Sequence, residues 1–248
     1  MSQQDSLCVD AGVDPLLTEL REPVAVFCAD DAHPAQADLR EFVRTVFRSA
    51  HGAHVDVLYP CLLGYTAARG LRAVVGYRGG ALDGNRQDLF AEQYLDAPAE
   101  KLIEAKIGRS VPRCGLVEVG NLALRDPGHA RWVIAATTLF LAGAGYRWVL
   151  FTATRPLANA FRRLGLKPIE LAQADPARLP DGGAVWGRYY LQGPAVYAGD
   201  ILAGAAKLRG AARFGQPYLR RMLDEARRLG TANAAACAGA GRLKRATP

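Results

Sequence analysis

The stretch from Leu116 to Thr154 constrains this chain most. It reads as a strand, LVEVGNLAL (116 to 124), a long apolar helix over 128 to 144, and a second strand, WVLFTAT (148 to 154). An amphipathic helix over 156 to 164 follows, closed by Gly165, and then a short strand over 167 to 172. Strands alternating with helices in this way predict an α/β or α+β domain. The longest apolar run, Trp132 to Gly145, holds two threonines and 14 residues, fewer than the roughly 17–25 that a membrane span needs.

Upstream, Pro23 to Ala29 reads as a short buried strand, and residues 33–50 carry Leu39, Phe42, Val43, Val46 and Phe47 at the spacing of an amphipathic helix. Val55 to Tyr65 and Leu71 to Tyr77 are strand-like runs joined through Arg69 and Gly70 as a hairpin. A helical stretch over 88–107 is interrupted at Pro98, where a second helix restarts. Downstream, the aromatic run VWGRYYL (185 to 191) reads as the last strand. The expected organisation is a polar leader (1–20), one domain (21–205) and a tail (206–248). In that tail, residues 217–229 form a basic amphipathic helix and the low-complexity residues from Gly230 onward are disordered.

The formal net charge of +7 belongs mostly to that tail. Residues 201–248 hold ten Lys or Arg and two acidic residues, which leaves 21 basic and 22 acidic residues in the first 200. The charge therefore points to docking on an acidic acyl carrier protein or on anionic lipid, or to a solvated appendage. With no recognition motif beside it, nucleic acid is not expected as a partner. Five cysteines with no CxxC pair, and an N-terminus with neither a basic nor an apolar signal region, predict a reducing, cytoplasmic setting. The histidines at 33, 51, 54 and 129 form neither HxxxH nor HExxH, so no metal site is expected; His51 and His54 read as a helix-end loop.

The sharpest local pattern is Arg125-Asp-Pro-Gly128-His129-Ala130, an RxxGxA loop between a strand and the start of a helix. Backbone N–H groups of such a loop, with the positive end of the helix, can cradle a pyrophosphate, and Arg125, His129 and Arg131 add side-chain donors. Strand, loop and helix resemble motif A of the GNAT acyltransferase superfamily, whose RxxGxG/A loop holds the pyrophosphate of acyl-coenzyme A. In that superfamily the helix after the next strand usually carries a tyrosine that protonates the leaving thiolate; here the position is Phe161.

The segments LYP (58 to 60), VGYR (75 to 78), LFAEQYLD (89 to 96), VEVGNLA (117 to 123), LFTAT (150 to 154), WGRYY (186 to 190) and PAVYAG (194 to 199) together resemble the thermostable haemolysin family. That resemblance implies a GNAT-like, mixed, mostly antiparallel twisted sheet flanked by helices. It also implies kinship by fold with acyl-homoserine-lactone and N-acyl amino acid synthases. Those synthases carry Glu-x-Ser-Arg on the strand before the loop, where this chain has Glu118-Val-Gly-Asn121.

The expected activity is N-acyl transfer from an acyl carrier protein or coenzyme A thioester to a small amine or amino acid, with no permanently bound cofactor. Glu118 is the candidate base, or else a structurally paired carboxylate, and Asn121 either contacts substrate or satisfies a strand bulge. Arg125, Gly128, His129, Ala130 and Arg131 are the candidate donor site. Glu92, Gln93, Tyr94 and Asp96 line a substrate mouth or form a solvated helix end. A membrane-active lytic protein and an inert GNAT-like binding module are the alternatives.

Overall fold

A computed structural model describes residues 20, 22–55, 59–82, 84–212 and 217–245 of the protein, with side chains described except at 211–212 and 235–245. In chain order the elements are β1 (Ala25–Ala29), α1 (Gln36–His51), β2 (Cys61–Ala67), β3 (Gly70–Gly79), and the two-residue strands β4 (Ala81–Leu82) and β5 (Asn85–Arg86). A 3₁₀ turn (Phe90–Tyr94) precedes α2 (Ala99–Ile107), β6 (Leu116–Leu124), α3 (Ala130–Gly143), β7 (Trp148–Ala153) and α4 (Arg155–Arg163). The chain continues through β8 (Ile169–Gln173), β9 (Ala195–Asp200), α5 (Ile201–Ala212) and α6 (Pro217–Arg245). Seven strands form one sheet in the order β1-β2-β3-β6-β7-β9-β8. Within it only β6 and β7 run parallel. The α/β class and the mostly antiparallel sheet are those expected.

Side chains alternate across each strand and so divide between two covered faces. Leu63, Tyr65, Val75, Tyr77 and Val117 point to the face covered by α3, α5 and α6. Leu116 and Leu150 point to the opposite face, under α2 and the 3₁₀ turn, and Leu62 and Val74 lie there under α1. Helix α3 is buried on almost every side, from Trp132 through Thr137 and again at Leu139, Phe140 and Leu141, because it lies between the sheet and α6. Among the described residues, no helix is long and apolar enough to cross a membrane.

Two expectations change here. The run VWGRYYL is not a strand: it forms 3₁₀ turns at Ala184–Trp186 and Tyr189–Gln192. Gly187 between them has φ +55°, and a Cβ there would collide with the backbone of His51, so the chain turns where the aromatic composition suggested extension. The strand that completes the sheet is β9, just after it. The second change concerns the tail. Helix α6 runs on through the low-complexity residues to Arg245 and packs across α3. Leu219, Met222, Leu223 and Ala226 are buried in the main core, while Arg220, Arg221, Arg227 and Arg228 face outward. At the crossing the two backbones touch: a Cβ on Gly230 would strike the Phe140 carbonyl, and one on Gly143 would strike the Arg227 carbonyl. Glycine in a helix costs about 1 kcal/mol against alanine, and here it permits that close approach.

A buried ion cluster fixes the segment that follows β5. The Arg113 guanidinium donates to Glu92 at 2.5 Å and to Glu100 at 2.7 Å, and Arg86 donates to Glu100 at 2.5 Å and to Glu92 at 3.1 Å. Burial alone would raise both carboxyl pKa values, but the arginine hydrogen bonds outweigh it and hold them below the usual range.

Three outcomes are expected. Gly230→Val should lower the unfolding free energy by about 3 kcal/mol, the upper part of the overpacking range, measured by denaturant titration. Truncation after Ala212 removes three large buried side chains at about 1.5–3 kcal/mol each, against a total stability of about 5–15 kcal/mol, and should abolish cooperative unfolding. Arg113→Ala should cost about 3 kcal/mol at neutral pH, because only the half-exposed Arg86 then remains to compensate two buried carboxylates. Because Glu92 and Glu100 have lowered pKa values in the fold, the stability they contribute is present above the unfolded carboxylate value and is lost as pH falls through the folded values. The difference between wild type and Arg113→Ala should therefore shrink in acid.

Candidate active site

Strand β6 positions the site by parting from its neighbour. Its parallel pairing with β7 runs from Leu116 opposite Trp148 to Val119 opposite Phe151 and then stops, although β6 continues to Leu124. On its other side the register with β3 slips: Gly120 faces Gly76, yet Ala123 faces Val74, so Asn121 and Leu122 share one place opposite Val75. This is a bulge, with Asn121 at φ +48°. The bulge bends β6 away from β7 and opens a cavity of about 1070 Å³.

The cavity passes through the sheet. On the α3 side it is walled by Val75, Val119, Val149, Phe151, Val133, Ile134 and Leu141 and by Leu157 and Phe161 of α4. On the opposite side it is walled by Phe47, His51, Tyr59, Phe90, Tyr94, Trp186 and Tyr189. Its cationic lining, Arg131, Arg163, Lys167 and Lys207, belongs to α3, to α4 with the loop after it, and to α5.

Glu118, 1% exposed, lies under the aromatic side. Its two oxygens accept the Phe90 and Ala91 N–H groups at 2.8 and 2.7 Å, capping the 3₁₀ turn, and the Tyr59 phenol donates to it. Arg78, its partner across β3, lies over the Tyr59 ring with 5.5 Å between the guanidinium carbon and the centroid. Burial raises the Glu118 pKa, against the pull of those N–H groups, Arg78 and Tyr59. Tyr59 lines the cavity and Glu118 is reached behind it. The Tyr59 ring rests on Gly76 and Gly120, where a Cβ would come within 2.8 and 2.5 Å of it. Its N–H donates to the Asn121 side chain at 3.3 Å. Burial, first, and the neighbouring Glu118 charge hold the phenol protonated well beyond its ordinary range.

The residues expected at the donor end divide. Gly128, Ala130 and Arg131 line the cavity. The Arg125 side chain donates to the Leu71 carbonyl at 2.8 Å and lies over Phe42, outside the lining. The His129 ring lies tilted at 47° against Trp132, 5.1 Å between centroids, and burial pushes its pKa down. The loop is a 3₁₀ turn whose Gly128 N–H is taken by the Asp126 carboxylate, the His129 N–H by the Asp126 carbonyl and the Ala130 N–H by the Pro127 carbonyl. In this conformation the donors facing the cavity are side chains, with Arg131 nearest to the expected place.

Of the expected substrate mouth, Tyr94 lines the cavity and hydrogen-bonds the Tyr190 hydroxyl at 2.5 Å. Glu92 is bound in the Arg113 cluster, Gln93 caps the Phe90 carbonyl, and Asp96 pairs with Arg178 on the surface. Sequence reasoning missed Tyr59, His51, Phe90, Trp186 and Tyr189 on one side and Arg163, Lys167 and Lys207 on the other. Most of the first group lay in the segments LYP, LFAEQYLD and WGRYY, whose recurrence marked a family while their separation in sequence hid their convergence.

Comparison with solved structures finds the same fold in FeeM, an N-acyl amino acid synthase from uncultured soil microbes. It has a TM-score of 0.51 and 14% identity, covering 76% of this chain and 96% of that one. BjaI, a CoA-dependent acyl-homoserine lactone synthase with SAM and isopentyl-CoA, matches at a TM-score of 0.49 and 14% identity over 81% of this chain and 98% of its own. The acyl-homoserine lactone synthase LasI matches at 0.47 and 9%, over 73% and 91%. No curated protein sequence matches this one. The thermostable hemolysin family model matches residues 29–205, and the chain belongs to that family.

Proposed function

We propose that this protein is an N-acyltransferase that moves a fatty acyl group from a carrier-protein or coenzyme A thioester to a small amine. The observation that carries this reading is the one cavity through the parted strands, apolar and cationic on the α3 side and aromatic over a buried carboxylate on the other. Two reactants entering from opposite faces of the sheet would meet at the β6 bulge. The likeness in fold to FeeM, an N-acyl amino acid synthase, supports it.

In this mechanism Arg131, Arg163, Lys167 and Lys207 hold the phosphates of the donor, whose acyl chain lies along the apolar wall. Backbone N–H groups at the β6 bulge polarise the thioester carbonyl as an oxyanion hole does. The incoming ammonium gives one proton to the Tyr59 oxygen as the Tyr59 proton passes to Glu118, so that the pair acts as one base. The free amine attacks the carbonyl carbon, the C–S bond breaks, and the proton leaving nitrogen neutralises the thiolate. Phe161, which stacks on Phe151 at 4.5 Å, supplies no proton at the place where a GNAT tyrosine would. The exposed arginines of α6 offer an acidic carrier protein a basic surface.

The experiment is mass spectrometry of lipid extracts from cells expressing the wild type or Tyr59→Phe, followed by kinetics on the acyl product found. Tyr59→Phe keeps the ring on its glycines and removes only the relay hydroxyl. The expected result is a fall of about 10²-fold in kcat/KM with the fold retained, within the usual range for proton-transfer catalysis. An unchanged rate would remove Tyr59 from the reaction, and no N-acyl product from wild type would remove the function. The wild-type rate should also fall as pH drops and Glu118 becomes protonated, with a midpoint above the ordinary carboxylate range because burial raises its pKa.

A further inference from the structure

The aromatic side of the cavity is more specific than acyl transfer alone requires. Tyr59 comes from the approach to β2, Phe90 and Tyr94 from the 3₁₀ turn before α2, and Trp186 and Tyr189 from the turns before β9. All five line the same space. Four of the rings form a continuous wall: Phe90 and Trp186 are 5.7 Å apart at 40°, Trp186 and Tyr189 5.5 Å at 44°, and Phe90 and Tyr94 5.9 Å at 80°. Such varied inclinations present ring faces to an enclosed guest from several directions.

The wall is braced from behind. Arg178 clamps the 3₁₀ turn through the Gln93 and Leu95 carbonyls at 3.1 and 2.9 Å. The turns around Trp186 are tied to the end of α1 by the Arg188 N–H on the His51 carbonyl at 2.8 Å and by the His54 N–H on the Val185 carbonyl at 2.7 Å. Aromatic faces are electron-rich and attract cations, an effect that grows on removal from water. The Glu118 carboxylate behind Tyr59 adds a field of the same sign. The cationic lining belongs to α3, α4, the loop after α4 and α5, elements other than those bearing the five rings, and the Arg78 guanidinium on Tyr59 lies outside the lining.

We propose that Phe90, Tyr94, Trp186 and Tyr189, with the Tyr59 hydroxyl beside them, form an acceptor subsite that binds an organic ammonium on an apolar body, held by cation–π contact in front of Glu118. The inference rests on the acyl-transfer reading only in naming the guest an acceptor; ammonium binding itself is independent of it. The cavity then has two ends of opposite preference, anionic phosphates on one face of the sheet and a cation on the other. An ammonium bound there faces the Tyr59 hydroxyl, the group through which it would lose its proton.

The test is isothermal titration of the full chain, without any thioester, with 2-phenylethylammonium and with its neutral counterpart 2-phenylethanol. The ammonium should bind about tenfold more tightly than the alcohol, Tyr189→Leu should erase that difference, and Tyr189→Phe, which keeps the ring, should retain it. Equal affinity for the two probes, no ammonium binding, or a preference unchanged in Tyr189→Leu would overturn the proposal. The wild-type comparison stands even if Tyr189→Leu fails to fold. Ammonium preference without acyl transfer from any thioester would support the subsite and defeat only the proposed reaction.

Discussion

Everything that makes this molecule more than a layered α/β sheet depends on the parting of β6 from β7. Parallel strands bury both faces and ordinarily leave no opening, so the gap has to be forced. The slip between β3 and β6 forces it by placing two residues where one would fit and turning Asn121 into the left-handed region. Asn121 tolerates that conformation better than most side chains, and its amide oxygen accepts the Tyr59 N–H. One residue thus sets the bend in the strand and the place of the phenol beside it.

Glu118, three residues earlier on the same strand, illustrates how a structural role and a proposed chemical one can share a group. A carboxylate buried to this degree would be costly alone, and two backbone N–H groups, a phenol and a guanidinium across the strand offset that cost. The same bonds draw the Phe90–Tyr94 turn onto the sheet and so bring two rings to the cavity. Replacing Glu118 would disturb the turn as well as any proton transfer. Its neighbour Tyr59 is the cleaner probe, because its hydroxyl can be removed while its ring stays on Gly76 and Gly120.

What could be read from the sequence followed from local chemistry. Apolar periodicity marks α1 and α4, a long apolar run marks α3, and the glutamate and asparagine on β6 both stand as alternatives between structure and site. The aromatic run at 185–191 was misread because residue preference outweighed Gly187, whose backbone admits no strand there. The residues from Gly230 onward suggested disorder because small residues carry little driving force for folding by themselves. Against α3 the same smallness is what lets two helix backbones touch, a tertiary fact without a local sign. The aromatic subsite was illegible for a related reason: its rings come from three segments that only the sheet brings together.

The placement of charge follows from the same packing. The arginines of the C-terminal region read as an appendage in the sequence, yet α6 buries Leu219, Met222, Leu223 and Ala226 in the main core and carries Arg220, Arg221, Arg227 and Arg228 on its outer face. At Arg220, Arg221, Arg227 and Arg228 the charge is therefore a property of the folded domain's surface. These four are separate from the cations inside the cavity, which arise from α3, α4, the loop after α4 and α5. A donor with phosphates meets positive potential outside the fold and again at the mouth, whereas a cationic acceptor would be disfavoured on that route. In the proposed reaction, entry on the opposite face, past the rings and toward Glu118, would keep the two reactants apart until they meet at the bulge.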